Sequence, residues 1–124
     1  MIVKIKKFFF NAHYEYNQEN NSLLITNFQE ETFNAKSISI VSTGIGLEVV
    51  TSFSMDIQLH LTKEMTDKNL YMINYPATID KDYRGELKII IYNFNDYSII
   101  LKEKKFISKV IFNKIPKITL ISNK

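Results

Sequence analysis

The side chains able to do chemistry crowd into one stretch, Ile79-Asp80-Lys81-Asp82-Tyr83-Arg84-Gly85-Glu86. It holds three carboxylates, an aromatic ring, the chain's only arginine and one of its 3 glycines. As residue types alone they describe a tight turn. Asp80 and Asp82 can bond their own backbone, Gly85 can supply a positive φ, Tyr83 can pack, and Arg84 and Glu86 can form ion pairs. Elsewhere the chemistry is sparse. The chain has no cysteine, which removes a thiolate nucleophile, a thiolate metal site and a disulfide framework together. His13 and His60 are the only 2 histidines. No serine, histidine and acid group into a triad by spacing, and two histidines without a nearby cluster of acids do not make a zinc site.

The elements that must hold this stretch read as strands. Apolar and polar residues alternate through much of the chain, the period of half-buried strands. Met55-Asp56-Ile57-Gln58-Leu59-His60-Leu61 is the clearest case, with Met55, Ile57, Leu59 and Leu61 on one face and His60 on the other. Similar segments are Val3 to Phe10, Leu23 to Thr26, Ser37 to Ser42, Ile45 to Val50, Leu70 to Asn74, Leu87 to Asn93, Tyr97 to Leu101, Ile107 to Phe112 and Lys117 to Ile121. One helical turn fits Glu64 to Lys68. Asn17 to Asn21 and Gln29 to Asn34 read as loops, and Pro76 and Pro116 fall at strand edges or starts. Many short strands at short spacing predict an all-β jelly roll or sandwich.

At 124 residues, with 45% hydrophobic and 23% charged residues, the chain is sized for one domain. Its longest apolar runs fall far short of the roughly 20 residues that span a bilayer, so no membrane partner is expected. The lysine-studded N-terminus lacks the form of a signal peptide. With no cysteine, a cytoplasmic setting is expected. The net charge of +3 includes a lysine excess over Lys102, Lys104, Lys105, Lys109, Lys114 and Lys117. Lysines spaced along strands make a solvated face that discourages edge pairing. With a single arginine, no nucleic-acid partner is expected.

The order Ile79-Asp80-Lys81-Asp82-Tyr83-Arg84-Gly85-Glu86 resembles the nucleoside-recognition motif of the trimeric dUTPases, I-D-x-D-Y-R-G-E. Val41-Ser42-Thr43-Gly44-Ile45 resembles the family's V-P-T-G-I strand and turn, and Phe106-Ile107-Ser108-Lys109-Val110-Ile111-Phe112 its R-I-A-Q-L-I-F strand. The resemblance runs from about Ser37 to Ile121. It implies a dUTPase-like jelly-roll or β-clip barrel, assembled as a homotrimer, with one domain over residues 1–124; the family's glycine-rich C-terminal arm is expected to be missing from it. It also implies roles. Asp80 would position the water that attacks the α-phosphate, Tyr83 would pack beneath the deoxyribose, and Asn74 would lie near the base.

The same resemblance implies phosphate contacts that this chain lacks. The metal-anchoring aspartate falls near Ser22-Leu23-Leu24-Ile25, and the Arg-Ser-Gly turn falls at Leu61-Thr62-Lys63. Lys63 and Lys109 could supply charge, though not the planar fork of arginine. Losing such electrostatic contributors costs about 2.7 to 4 kcal/mol each. The expectation is therefore a non-hydrolysing, dUTPase-like binding protein that holds a nucleotide in an inter-subunit cleft or acts through a host protein partner. It would carry no metal cofactor. Composition and the lost contacts resemble dUTPase descendants of viruses and phages, which would place it in the host cell. The alternative is an active dUTP pyrophosphatase with an atypical or hetero-oligomeric site, using Mg²⁺ and Asp80.

Overall fold

The computed structural model describes residues 1–123. Its elements in chain order are β1 (Ile2–Lys7), β2 (Tyr14–Asn17), β3 (Ser22–Thr26), β4 (Glu31–Phe33), β5 (Ile38–Ser42), β6 (Ile45–Val50), β7 (Met55–Leu61), α1 (Lys63–Asp67), β8 (Leu70–Met72), β9 (Ala77–Asp80), β10 (Lys88–Asn93), β11 (Ile99–Leu101) and β12 (Phe106–Lys114). Every strand pairing is antiparallel. The largest sheet runs β2-β3-β12-β7-β9, a second runs β5-β10-β8, and the pairs β1-β6 and β11-β4 complete the fold.

Alternation places the core as expected. Met55, Ile57 and Leu59 of β7 are buried, and Ile89 and Ile91 of β10 meet them from the second sheet within one core that includes Ile25, Ile45, Leu101, Ile107 and Val110. Helix α1 contributes one anchor to this interior, the fully buried Met65. Buried asparagines tie loops to strands. The Asn93 amide donates to the carbonyls of Phe33 and Tyr97, and Asn27 donates to the carbonyls of Gln29 and Lys102. Pairing buried polar groups in this way removes the penalty of leaving them dry.

Three strands escape the sequence reading. Strand β4 lies inside the segment expected to be a loop from Gln29 to Asn34, because its partner β11 supplies the ladder from 68 residues later, Glu31 opposite Leu101 to Phe33 opposite Ile99. Strands β2 and β9 are four residues each and are held as sheet edges by β3 and β7. In the other direction, Lys117 to Ile121 forms no strand. Its alternation is strand-like, but no neighbour among the described residues pairs with it, and Leu120 and Ile121 stay 87% exposed.

Candidate functional site

The Ile79–Glu86 motif joins two sheets. Strand β9 lies at the edge of the five-stranded sheet, the chain turns at residues 81–87, and β10 then enters the middle of the second sheet. Asp80 ends β9 and organises the turn, accepting from the Asp82 backbone N–H at 2.8 Å through its side chain and from the Tyr83 N–H at 3.0 Å through its carbonyl. The turn-forming role read from the sequence is therefore met at Asp80. Tyr83 is half-exposed, and its hydroxyl donates to the Glu86 carbonyl at 2.8 Å, which sets its ring across the turn.

Two expectations for this turn need correction. Gly85 does not take a positive φ; the positive-φ glycine is Gly44, at 69°. What Gly85 supplies is room, since a Cβ there would lie 2.6 Å from Tyr83 Cζ and overlap its hydroxyl. Arg84 makes no ion pair among the described residues. Its Nη1 instead donates to the carbonyls of Lys81 at 2.7 Å and Tyr83 at 3.3 Å. Glu86 does pair, loosely, with Lys88 at 3.9 Å, but its stronger bonds run elsewhere. Its Oε2 accepts from the Ser42 hydroxyl and, at 2.8 Å, from the Gly44 N–H. These bonds lock the β5–β6 turn to the motif. Gly85→Ala should therefore push the Tyr83 ring aside and cost about 1 to 3 kcal/mol of stability, as an overpacked contact does. Urea unfolding reads it.

An open pocket of 340 Å³ lies beside the motif, lined by Thr78, Ile79, Asp80, Tyr83, Glu86, Leu87 and Lys88. Its volume falls within the range of about 300–1,000 Å³ usual for small-molecule sites. Asp80 and Tyr83 are thus brought together on one cavity, while the other candidates lie apart within the single chain. Asn74 is exposed in the turn before Pro76 and does not line it. Lys63, 86% exposed at its side chain, is paired with Asp67 at 2.8 Å and lines a different pocket with Tyr71 and Tyr75. Lys109 sits in the centre of β12, opposite Leu24 and His60. His60 bonds Tyr75 and Gln58, consistent with a loosely paired surface histidine.

Sequence reasoning missed three residues of this neighbourhood. Thr78 and Lys88 line the pocket, Lys88 being a cation at its rim. Asp56 lies directly opposite Asp80 across the β7–β9 ladder, and its Oδ1 is buried without a hydrogen-bond partner among the described residues. Alternation put Asp56 on the polar face of β7, but only the pairing with β9 sets it against Asp80.

The antiparallel layers define an all-β jelly roll with a pocket beside the motif, and comparison with known proteins identifies the family. A family model described as dUTPase matches residues 30–124. A deoxyuridine 5'-triphosphate nucleotidohydrolase of Rickettsia akari is 32% identical over 122 residues, covering 94% of this chain and 81% of that protein. One from Fusobacterium nucleatum is 30% identical over 93 residues, covering 74% of this chain and 64% of that protein. Another, from Hydrogenobaculum, is 33% identical over 89 residues, and the chain spans 58% of its length. The chain belongs to the dUTPase family. Its fold matches that of phage dUTPases. A mutant enzyme from S. aureus phage phi11, solved to show coordination of a structural Mg(II) ion, gives a TM-score of 0.82 at 14% identity, covering 100% of this chain and 97% of the other. The Staphylococcus bacteriophage 80alpha dUTPase with dUpNHpp gives 0.82 at 15% identity, covering 99% and 89%.

The family's association with Mg²⁺ raises the question of a resident metal, and the residues do not fit one. No group of three or more His, Asp or Glu that could hold an ion is found among the described residues. In the segment expected to anchor the metal, Ser22 to Ile25, β3 carries a serine and aliphatic side chains and no acid.

Proposed function

We propose that this protein is a dUTP pyrophosphatase with an atypical phosphate site, converting dUTP and water to dUMP, pyrophosphate and a proton. The observation that carries this reading is the shared pocket of Asp80 and Tyr83, left open and built by an intact I-D-x-D-Y-R-G-E turn. Relatives named as deoxyuridine triphosphate nucleotidohydrolases, one aligned over 94% of the chain, support hydrolysis more than its loss. The base and sugar lie against the motif, with Tyr83 beneath the deoxyribose. Asp80 holds a water and takes its proton as the oxygen bonds to the α-phosphorus. The bond from that phosphorus to the bridging oxygen breaks, and pyrophosphate leaves. Asn74, Lys63 and Lys109 belong to this site only if a second subunit supplies them, because within one chain they lie elsewhere.

A homotrimer would provide such a cleft, and the single chain has surfaces that favour assembly. The outer face of the β5-β10-β8 sheet carries Ile38, Ile40, Ile90, Tyr92, Tyr71 and Ile73 in adjoining register positions, with Ile38 and Ile40 60% and 64% exposed. A contiguous apolar patch of this kind marks an interaction surface. Ile38→Asp with Ile40→Asp should shift the protein toward its 14.6 kDa monomer in sedimentation velocity. Unchanged assembly would remove this face from the interface.

The decisive test is pyrophosphate release from dUTP by the purified protein. A second reading, a non-hydrolysing member that holds a nucleotide or a host protein, draws on the lack of an acid in the expected metal-anchoring segment, Ser22 to Ile25, and on the absence of Lys63 and Lys109 from the pocket. Stabilisation by dUTP without turnover would favour it, since a ligand bound only by the folded state raises stability by mass action.

A further inference from the structure

A second pocket, of 400 Å³, is reached from the turn by Arg84 and lined by Lys4, Ile5, Lys6, Leu47, Glu48 and Arg84. It gathers the chain's only arginine and two lysines against one acid, although these residues lie about 80 positions apart in sequence. Lys4 and Lys6 alternate on one face of the edge strand β1, opposite Glu48 and Gly46 of β6. None of the three cations belongs to an ion pair among the described residues.

Two of them are held in place before any ligand arrives. The Lys6 ammonium sits 4.7 Å from the centroid of the Phe8 ring. The Arg84 guanidinium is fixed by its bonds to the Lys81 and Tyr83 carbonyls, made through Nη1. Its Nε and Nη2 make no hydrogen bond among the described residues, so a planar pair of donors is left for an anion. Like charges gathered in a concave site repel one another until an anion of matching charge enters, and such a pocket draws anions by its field.

We infer that this pocket is a binding site for a multiply charged phosphate anion, with Arg84 as the fork and Lys4 and Lys6 as flanking charges. The inference stands on this charge cluster and does not require the dUTP pyrophosphatase reading. The anion has two chemical sources: the polyphosphate tail of a nucleotide, whose nucleoside would lie across the turn against Tyr83, or a free inorganic polyphosphate.

The test is calorimetric titration of the full chain with sodium tripolyphosphate at low salt, comparing wild type with Lys4→Gln/Lys6→Gln and with Arg84→Lys. Each lost contact should weaken binding about tenfold, and added salt should weaken it further as exposed charges are screened. Ligand-free melting temperatures show whether the variants fold; Lys6→Gln alone replaces the double variant if that one does not. No binding by wild type, or wild-type affinity in the lysine variant, overturns the inference. Competition with dUTP then assigns the source. Displacement of tripolyphosphate by dUTP but not by deoxyuridine places the nucleotide tail in the pocket; simultaneous binding places free polyphosphate there. If pyrophosphate release from dUTP is absent while tripolyphosphate binding persists, the catalytic reading fails and this one stands.

Discussion

Asp80→Asn is expected to reduce pyrophosphate release from dUTP by about a hundredfold to ten-thousandfold, the usual contribution of a positioned general base, while leaving dUTP affinity within about threefold. The separation of the two effects follows from the geometry. In the proposed reaction Asp80 has two jobs, and its Oδ1 performs the structural one by accepting the Asp82 N–H at 2.8 Å. An asparagine keeps an oxygen in that place and nearly the same shape, so the turn and the Tyr83 ring should persist. What disappears is the negative charge able to take a proton from water. Single-turnover kinetics and calorimetry on the same preparation measure both quantities. Loss of affinity equal to the loss of rate would instead make Asp80 a structural residue, and undiminished turnover would move the catalytic base elsewhere, with Asp56 across the ladder as the next candidate.

Glu86→Ala should be the most damaging change to stability within the motif, costing about 3 kcal/mol. The Glu86 side chain is only 15% exposed and joins two turns distant in sequence. It accepts from the Ser42 hydroxyl and the Gly44 N–H, 42 residues away in the second case. Hydrogen bonds to a charged group contribute about 1.5 to 3 kcal/mol each, and leaving a buried donor unpaired adds a desolvation penalty. Gly44 is buried at a positive φ, with Ala12, Phe28 and Phe9 closing the space a Cβ would need. Glu86→Gln retains an acceptor and should cost about a third as much. Urea unfolding of the two variants separates charge from hydrogen bonding, and equal stability of Glu86→Ala and wild type would show that the turns hold without this bridge.

Much of the protein was legible in its residues because the relevant information is local. Alternation set Met55, Ile57 and Leu59 of β7 toward the interior, and the strand Ile45–Val50 has the bounds its pattern predicts. The ordered run from Asp80 to Glu86 announced a family and a turn, since side chains a few positions apart must meet whatever the rest of the chain does. Asp80 with Tyr83 was readable for that reason.

Other features depended on contacts that no neighbouring residue encodes. β4 is a strand because β11 lies beside it, and Lys117–Ile121 is not one because nothing among the described residues lies beside it. Lys63 and Lys109 matched the places of phosphate contacts by alignment, yet helix α1 and the centre of β12 hold them away from the pocket. Arg84 gave no sign of meeting Lys4 and Lys6, because the pairing of β1 with β6 closes that distance. Side-chain type and short spacing thus determined most of the strands, the turn and the chemistry available to it. Which charges face which cavity was decided by ladders between distant strands, where register, and not sequence proximity, sets the neighbours.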